Sequence, residues 1–137
     1  MAHSQTVLPF AIEIIPGSPI AEQIAFAAKR AVVSGQLRPG DRFPSVRLLS
    51  QELRINPTTA HRVITFLVEE GVLVATPTVG TVVAESSSTS LAEKSETLGT
   101  DLEKLVVEAK RRGVRIEQFQ RAVEKHWKGL ERKEKGS

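Results

Sequence analysis

Cysteine is absent from this 137-residue chain, which excludes disulfide bonds and thiolate metal sites. The one methionine and three histidines offer little redox or metal chemistry. No nucleophile–base pair, phosphate-binding loop or paired-carboxylate motif is present either. The sequence therefore predicts a protein that is not an enzyme and that uses neither a cofactor nor a metal ion.

Long apolar runs are also missing, since none approaches the roughly 20 residues needed to span a bilayer. The opening MAHSQTVLPF lacks the basic start and the long apolar stretch of a signal peptide. Together with the absence of cysteine, these features predict a cytoplasmic protein with no membrane partner.

Charge of neither sign dominates, because 19 lysines and arginines oppose 16 aspartates and glutamates, for a net charge of +3. Residues 19–84 hold seven basic and five acidic side chains, whereas residues 101–137 hold eleven and seven. This excess permits a nucleic-acid partner without requiring one. Most of it lies toward the C-terminus, so charge alone does not indicate where such a partner would bind.

The beginning of the chain predicts an arm followed by a helix. Residues 10–15, FAIEII, alternate apolar and polar, which indicates a short edge strand or an extended arm within residues 1–18. A helix is expected to begin at Pro19 and to end at Gly35. Its buried stripe repeats every four residues, at Ile20, Ile24, Ala28 and Val32.

Residues 41–73 contain two short helical patterns separated by a few polar residues. Ser45 is the expected N-cap of the first helix. Asn56 is the expected N-cap of the second, which has Pro57 at its first position. Two helices joined by so short a turn predict a helix-turn-helix.

The pattern changes after Gly71, where VLVATPTVGTVVA has two β-branched runs around a Pro/Gly turn. Such a segment predicts a β-hairpin. Three helices followed by a hairpin predict a winged helix-turn-helix over residues 19–84. The fold class is therefore mainly α with a small β-hairpin.

The second helix of the motif has one apolar face and one polar face. Ala60, Val63 and Leu67 fall at helical spacing with Ile64 and are expected to pack inward. The outward residues of the first two turns are then Thr58, Thr59, His61, Arg62 and Thr65. None is acidic, and a recognition helix enters the major groove of DNA by its N-terminal end, where these groups can hydrogen-bond base edges.

The first helix of the motif is expected to cross the DNA backbone, which gives its residues a positioning role. Arg47 lies in its first turn, and the Ser45 hydroxyl is available to the same phosphate. Capping alone would nevertheless explain Ser45 and Asn56. Arg47, His61 and Arg62 could equally be ordinary solvated surface.

Two other functions compete with sequence-specific DNA binding. A winged helix can serve as a protein–protein interaction module without operator specificity, but its exposed helix should then present large apolar residues. RNA or nonspecific nucleoid binding would favour lysines and exposed aromatics. Residues 41–73 contain no lysine, and their aromatics are Phe43 and Phe66.

The C-terminal part predicts a linker and two further helices. Residues 85–99 are rich in Ser, Thr and Glu and are expected to be a linker. A capping box of Thr100 and Glu103 predicts a helix start, and Gly113 predicts a helix end. Residues 132–137 are expected to be a frayed tail.

The two helices of residues 100–131 carry more apolar surface than they can bury against each other, which predicts a homodimer interface. Its residues would be Leu102, Leu105, Val106, Phe119, Val123, Trp127 and Leu130. The alternative is that these helices fold back on the winged domain.

Several segments together resemble the GntR family of bacterial transcriptional regulators. They are PIAEQI at 19–24, SGQLRPGDRFPSVRLLSQEL at 34–53 and LVEEGVLVATPTVGTVV at 67–83. The resemblance covers about half the chain, residues 19–84. INPTT and the two-helix ending LEKLVVEAKRRGVRIEQFQRAVEKHW are similar to the YtrA-like branch, and the segment after the wing is too short for the large effector domains of other branches.

The resemblance implies double-stranded DNA as partner, a homodimer on an inverted-repeat operator, and a repressor, with a transporter operon as the target. The existence of a small-molecule effector is left open.

Family wings carry basic residues before a G-x-G-T run, of which only Gly80 and Thr81 match here. Thr76, Pro77 and Thr78 stand at the other positions, so the wing is expected to contact DNA weakly or through its backbone. The predicted DNA-binding residues are Ser45, Arg47, Asn56, Thr58, Thr59, His61, Arg62, Thr65, Gly80 and Thr81.

Overall fold

The computed structural model describes residues 8–85 and 91–131, without the side chains of residues 91–97. These residues form two compact units, one up to Glu85 and the other from Leu91. The first unit holds three helices and a two-stranded sheet, and the second holds two helices. In the described part of the chain, no helix has both the length and the apolar character that crossing a membrane requires.

The first helix, α1 (Ile20–Val33), follows an N-terminal arm. The described part of the arm contains no strand, so the edge-strand alternative for residues 10–15 is wrong. Phe10 anchors the arm by stacking on Phe43 with ring centroids 5.7 Å apart. The predicted stripe of α1 is buried at Ile24 and Ala28, whereas Ile20, in the first turn, is 42% exposed and was predicted wrongly.

Helices α2 (Val46–Leu53) and α3 (Pro57–Glu69) form the predicted helix-turn-helix. The Leu48 N–H donates to Ser45 Oγ over 3.1 Å, and the Thr58 N–H donates to Asn56 Oδ1 over 2.7 Å. Both predicted caps are confirmed, because each satisfies an N–H that the helix itself leaves without a partner. Arg54 ends α2 in the left-handed region, with φ of 54°.

The predicted hairpin consists of β1 (Leu73–Thr76) and β2 (Gly80–Val83), which pair antiparallel from Leu73–Val83 to Thr76–Gly80. A segment before α2 extends this sheet on the β2 side. Arg42 bridges Val82, and the Phe43 N–H donates to the Thr81 carbonyl over 2.8 Å. The wing is thereby tied to the chain that leads into α2.

The hydrophobic core of the first unit lies between the three helices and the sheet. Ile24, Leu49, Ala60, Val63 and Leu67 are fully buried there. Leu73 and Val83, which are cross-strand partners in the wing, cover the core on the side of the sheet. Every buried apolar residue found among the described residues belongs to residues 10–83, so this unit contains its own core.

The second unit consists of α4 (Leu91–Arg111) and α5 (Ile116–Gly129). Because α4 begins at Leu91, the predicted helix start at Thr100 is wrong, and so is the linker prediction for residues 91–99. Leu, Ala, Glu and Lys at 91–94 are good helix formers, and extending an existing helix is favourable. Residues 86–90 of the predicted linker and the predicted frayed tail, 132–137, lie outside the described residues.

The turn between α4 and α5 is a Schellman motif centred on Gly113, which has φ of +76°. The Val114 N–H donates to the Ala109 carbonyl over 2.9 Å, and the Gly113 N–H donates to Lys110 over 3.1 Å. The predicted helix end at Gly113 is therefore confirmed. Gln118 then stabilises the start of α5 by accepting a 2.9 Å hydrogen bond from the Arg115 N–H.

Candidate DNA-binding surface

The outward face of α3 is polar over its first two turns. Thr58, His61, Arg62 and Thr65 are all exposed. They face outward because the opposite stripe is held in the core, where Ala60, Val63 and Leu67 have no exposure. This arrangement leaves hydroxyls, an imidazole and a guanidinium on one helix face, the groups that hydrogen-bond base edges in a major groove.

Thr59 departs from this pattern because it is half-buried rather than fully outward. It follows the N1 proline of α3 by two positions and precedes the buried Ala60. Its side chain therefore lies at the edge of the polar face, and it offers less surface to a ligand than Thr58 does.

The acidic end of α3 is separated from this face. Glu69 and Glu70 come at the C-terminal end of the helix, and Glu70 forms an ion pair with Lys29 of α1. The Lys29 ammonium also lies 5.3 Å from the ring centroid of Phe66. The N-terminal half of α3, where the helix dipole favours anions, is thus free of acidic side chains.

The N-terminus of α2 presents a hydroxyl and a cation. Ser45 is exposed, and because its oxygen accepts the capping bond its own hydrogen is available to another acceptor. Arg47 is exposed in the first turn and has no ion pair with any described carboxylate. Both groups suit contact with a phosphate oxygen.

The wing turn is closed by hydrogen bonds of one side-chain hydroxyl, and it carries no charged residue. Thr76 Oγ1 donates to the Gly80 carbonyl over 2.8 Å and accepts from the Val79 N–H over 3.3 Å. Gly80 has φ of +99°, a conformation that suits glycine. The family's basic wing position is therefore occupied by a residue that closes the turn, and Pro77, Thr78 and Val79 form an exposed, uncharged tip.

A cleft of about 610 Å³ lies between the wing and the start of α2. Ser45, which was predicted from a helix-capping pattern, and Gly80 and Thr81, which were predicted from the family's wing motif, line it together. Arg42 lines the same cleft, although sequence reasoning did not select it. Its signal in the sequence is weak, because one arginine before a Phe-Pro pair belongs to no periodic pattern.

The predicted dimerisation residues lie in the second unit. Leu102, Leu105, Val123 and Trp127 are between 46% and 71% exposed, while Phe119 and Leu130 are half-buried. Among the described residues, α4 and α5 do not pack closely along each other. An open cleft of about 1210 Å³ separates them, and its wall includes Ile116, an apolar residue of α5 that was not among the predicted interface residues. Leu98 and Val107, also missed, are exposed elsewhere on α4.

The last turn of α4 carries an exposed ion-pair cluster. Glu108 accepts hydrogen bonds from Arg111 Nη2 over 3.0 Å and from Arg112 Nε over 3.1 Å. The Arg111 guanidinium holds the pKa of Glu108 below its ordinary value, partial desolvation opposes this, and Arg112 adds to the lowering. The same contact with Glu108 raises the pKa of Arg111. The arginines also suit the negative end of the helix dipole.

A helix-turn-helix with an exposed polar second helix and an attached hairpin defines the winged-helix class of DNA-binding proteins. Residues 20–83 match the family described as bacterial regulatory proteins, gntR family. The chain is also 34% identical over 111 residues to the HTH-type transcriptional repressor YtrA of Bacillus subtilis (strain 168), covering 79% of this chain and 85% of that protein. The chain therefore belongs to the GntR family of DNA-binding transcriptional regulators, in its YtrA-like branch.

Solved structures share this architecture. A transcriptional antiterminator from Listeria monocytogenes EGD-e is similar with a TM-score of 0.77 and 25% identity, over 92% of this chain and 94% of that one. YtrA from Sulfolobus acidocaldarius, a GntR-family transcription factor, has a TM-score of 0.52 and 24% identity, over 87% and 97%. The second likeness supports the fold alone.

Proposed function

We propose that the protein represses transcription as a homodimer bound to an inverted-repeat operator. The observation that carries this proposal is the polar, acid-free face at the start of α3, held outward by a buried stripe. Thr58, His61 and Arg62 would contact base edges, while Ser45 and Arg47 would contact the backbone. As a regulator of bacterial transcription, the protein would act in the cytoplasm, where the DNA lies.

The two-helix unit supports the homodimer. Its apolar residues remain exposed after α4 and α5 have formed, and Trp127 at 71% exposure is the clearest case. Fully burying a Leu, Val or Phe side chain contributes about 1.5–3 kcal/mol, so several such residues could hold two chains together. The rim of the α4–α5 cleft carries Lys110 and Arg121 beside Glu117 and Glu124. A second copy related by a two-fold axis could pair these opposite charges, because such an interface is self-complementary.

The competing protein–protein interaction module is less well supported. It would need large apolar residues on the exposed first half of α3, and that face carries Thr58, His61 and Arg62. The exposed apolar residues of α3 are Phe66 and Val68, at its far end. Control of a transporter operon is part of the proposal through the YtrA-like resemblance, and finding the bound sequence beside transporter genes would support it.

Selection of bound duplexes from a random pool tests the proposal directly. We expect selected sequences with dyad symmetry and half-sites about one helical turn, or 34–36 Å, apart. Enrichment of sequences without symmetry would contradict the dimeric arrangement. Binding without sequence preference over a range of salt concentrations would contradict the regulator itself. A parallel selection from RNA, if it gave the stronger enrichment, would favour the RNA-binding alternative.

A further inference from the structure

The wing of this protein carries no charge of its own. Residues 72–84, VLVATPTVGTVVA, contain no lysine, arginine, aspartate or glutamate. Thr76 is committed to closing the turn through both of its hydrogen bonds. A wing built in this way has no cation of its own for a DNA phosphate.

Arg42 lies immediately beside this uncharged wing. Its backbone pairs with Val82 in antiparallel register, and flanking hydrogen bonds run from the Phe43 N–H to Thr81 over 2.8 Å and from the Val83 N–H to Asp41 over 2.9 Å. Arg42 is therefore carried on an added strand-like edge of the wing sheet. Its position relative to β2 is determined by backbone hydrogen bonds rather than by a flexible loop.

The surroundings of Arg42 suit an anion. It is the one formally charged residue on the described walls of the cleft between the wing and α2. The same walls hold the hydroxyl-bearing Ser45 and Thr81 and the start of α2, where free N–H groups and the helix dipole favour negative charge. Among the described residues, no carboxylate lines this cleft to neutralise the guanidinium.

Arg42, like Arg47, has no side-chain partner within the described part of the chain, whereas several other cations do. Lys29 is paired with Glu70, Arg30 lies over the Phe26 ring at 5.5 Å, and Arg111 is paired with Glu108. Arg42 is exposed, and its side chain takes part in no hydrogen bond, ion pair or ring contact with the residues that the structure describes. An unpaired exposed guanidinium loses little on contact with phosphate, because no internal ion pair has to be broken.

We propose that Arg42 supplies the DNA-phosphate contact that the uncharged wing lacks, and that it positions the wing side of the domain on the duplex backbone. The contact rests on the proposed DNA-binding mode and adds a second cationic anchor to Arg47. Arg47 would hold the backbone at the first turn of α2, and Arg42 would hold it at the wing cleft. A contact of this kind fixes register without reading sequence.

The test compares the full-length protein with Arg42→Gln and Arg30→Gln by fluorescence anisotropy over a series of KCl concentrations. Each protein is titrated with its selected operator and with an unrelated duplex. Arg42→Gln should weaken binding to both duplexes by a similar factor, about tenfold at moderate salt. It should also reduce the salt slope by about 0.9 for each protomer bound, the value of one lost phosphate contact, and so by about 1.8 for the proposed homodimer. Arg30→Gln, which removes the same charge from a different cleft, should leave the slope unchanged.

Either of two results with the glutamine variants would overturn the assignment. One is an unchanged slope in Arg42→Gln, and the other is an equal reduction in Arg30→Gln, which would mean that only total charge matters. Unfolding curves in urea accompany the titrations, and Arg42→Lys, which keeps the charge, should retain the slope even if the glutamine variant folds poorly. A reduced slope in Arg42→Lys would also count against the proposal. If the unsubstituted protein showed no salt-dependent DNA binding, the proposed function would fail instead, and the two failures are thus distinguishable.

Discussion

Arg47 offers a test of backbone positioning at a single residue. It is exposed in the first turn of α2 with no carboxylate partner in the described structure, so removing its side chain should cost no internal contact. Arg47→Ala should weaken binding to operator and unrelated DNA alike and make the salt slope shallower by about one ion per protomer. Salt-dependent titrations measure both effects. A loss confined to the operator would instead identify Arg47 as a base-reading residue.

Thr58 and His61 should behave differently because they are proposed to contact base edges. Substituting either with alanine should relax the preference at particular operator positions, with a cost of about 1–3 kcal/mol for each good contact. Thr59→Ala serves as the internal comparison, since Thr59 is half-buried and should affect recognition less. Binding of single-base operator variants measures the preference. A flat profile across all of these variants would indicate that another face of α3 reads DNA.

At the scale of one element, the wing turn depends on the Thr76 hydroxyl. Thr76→Val keeps the β-branched shape but removes the 2.8 Å bond to Gly80 and the 3.3 Å bond from Val79. Each lost hydrogen bond lowers the free energy of unfolding by about 0.5–1.5 kcal/mol. We expect lower stability in urea and faster amide exchange at Val79.

Thr78→Val is the matched control for this change. Thr78 is exposed on the same turn and makes no side-chain hydrogen bond with the described residues. Thr78→Val should therefore change the free energy of unfolding by about 0.5 kcal/mol or less. Equal effects of the two substitutions would mean that the turn is not closed by Thr76. The change in stability that both variants share would then reflect the β-propensity of valine alone.

For the whole molecule, a chain ending at Glu85 should fold, remain monomeric and lose most of its operator affinity. It should fold because every buried apolar residue in the described structure belongs to residues 10–83. It should be monomeric because the proposed interface is removed, and one half-site would then be bound without its mate. Analytical ultracentrifugation and operator titrations measure the two effects.

A full-length Leu105→Arg variant provides the complementary experiment. Leu105 is 56% exposed on α4, so the substitution should leave the helix intact while placing a charge in the proposed interface. We expect a monomer with the affinity of the truncated chain. A monomeric unsubstituted protein, or a truncated chain that still dimerises, would contradict this assignment and favour helices that fold back on the winged domain.

Local chemistry determined most of what the sequence predicted. The caps at Ser45 and Asn56 and the helix end at Gly113 act within a few residues, so each is visible in a short stretch. The buried stripe of α3 follows from helical periodicity, and the wing follows from β-branched runs around a turn. The family resemblance rests on the same segments.

Tertiary structure decided the features that join distant segments. The pairing of Arg42 with Val82 connects residues 40 positions apart and leaves no periodic pattern, so neither the added edge of the wing sheet nor the cleft beside it could be predicted. The exposure of Ile20 depends on whether other parts of the fold cover the first turn of α1, which helical periodicity does not show. The start of α4 at Leu91 was also missed. The polar residues before Thr100, together with Gly99, favour a linker when they are considered by themselves. A helix that is already nucleated can nevertheless extend through them. Short-range hydrogen bonds are therefore encoded locally, whereas the position of a charge such as Arg42 beside the wing exists only once the chain has folded.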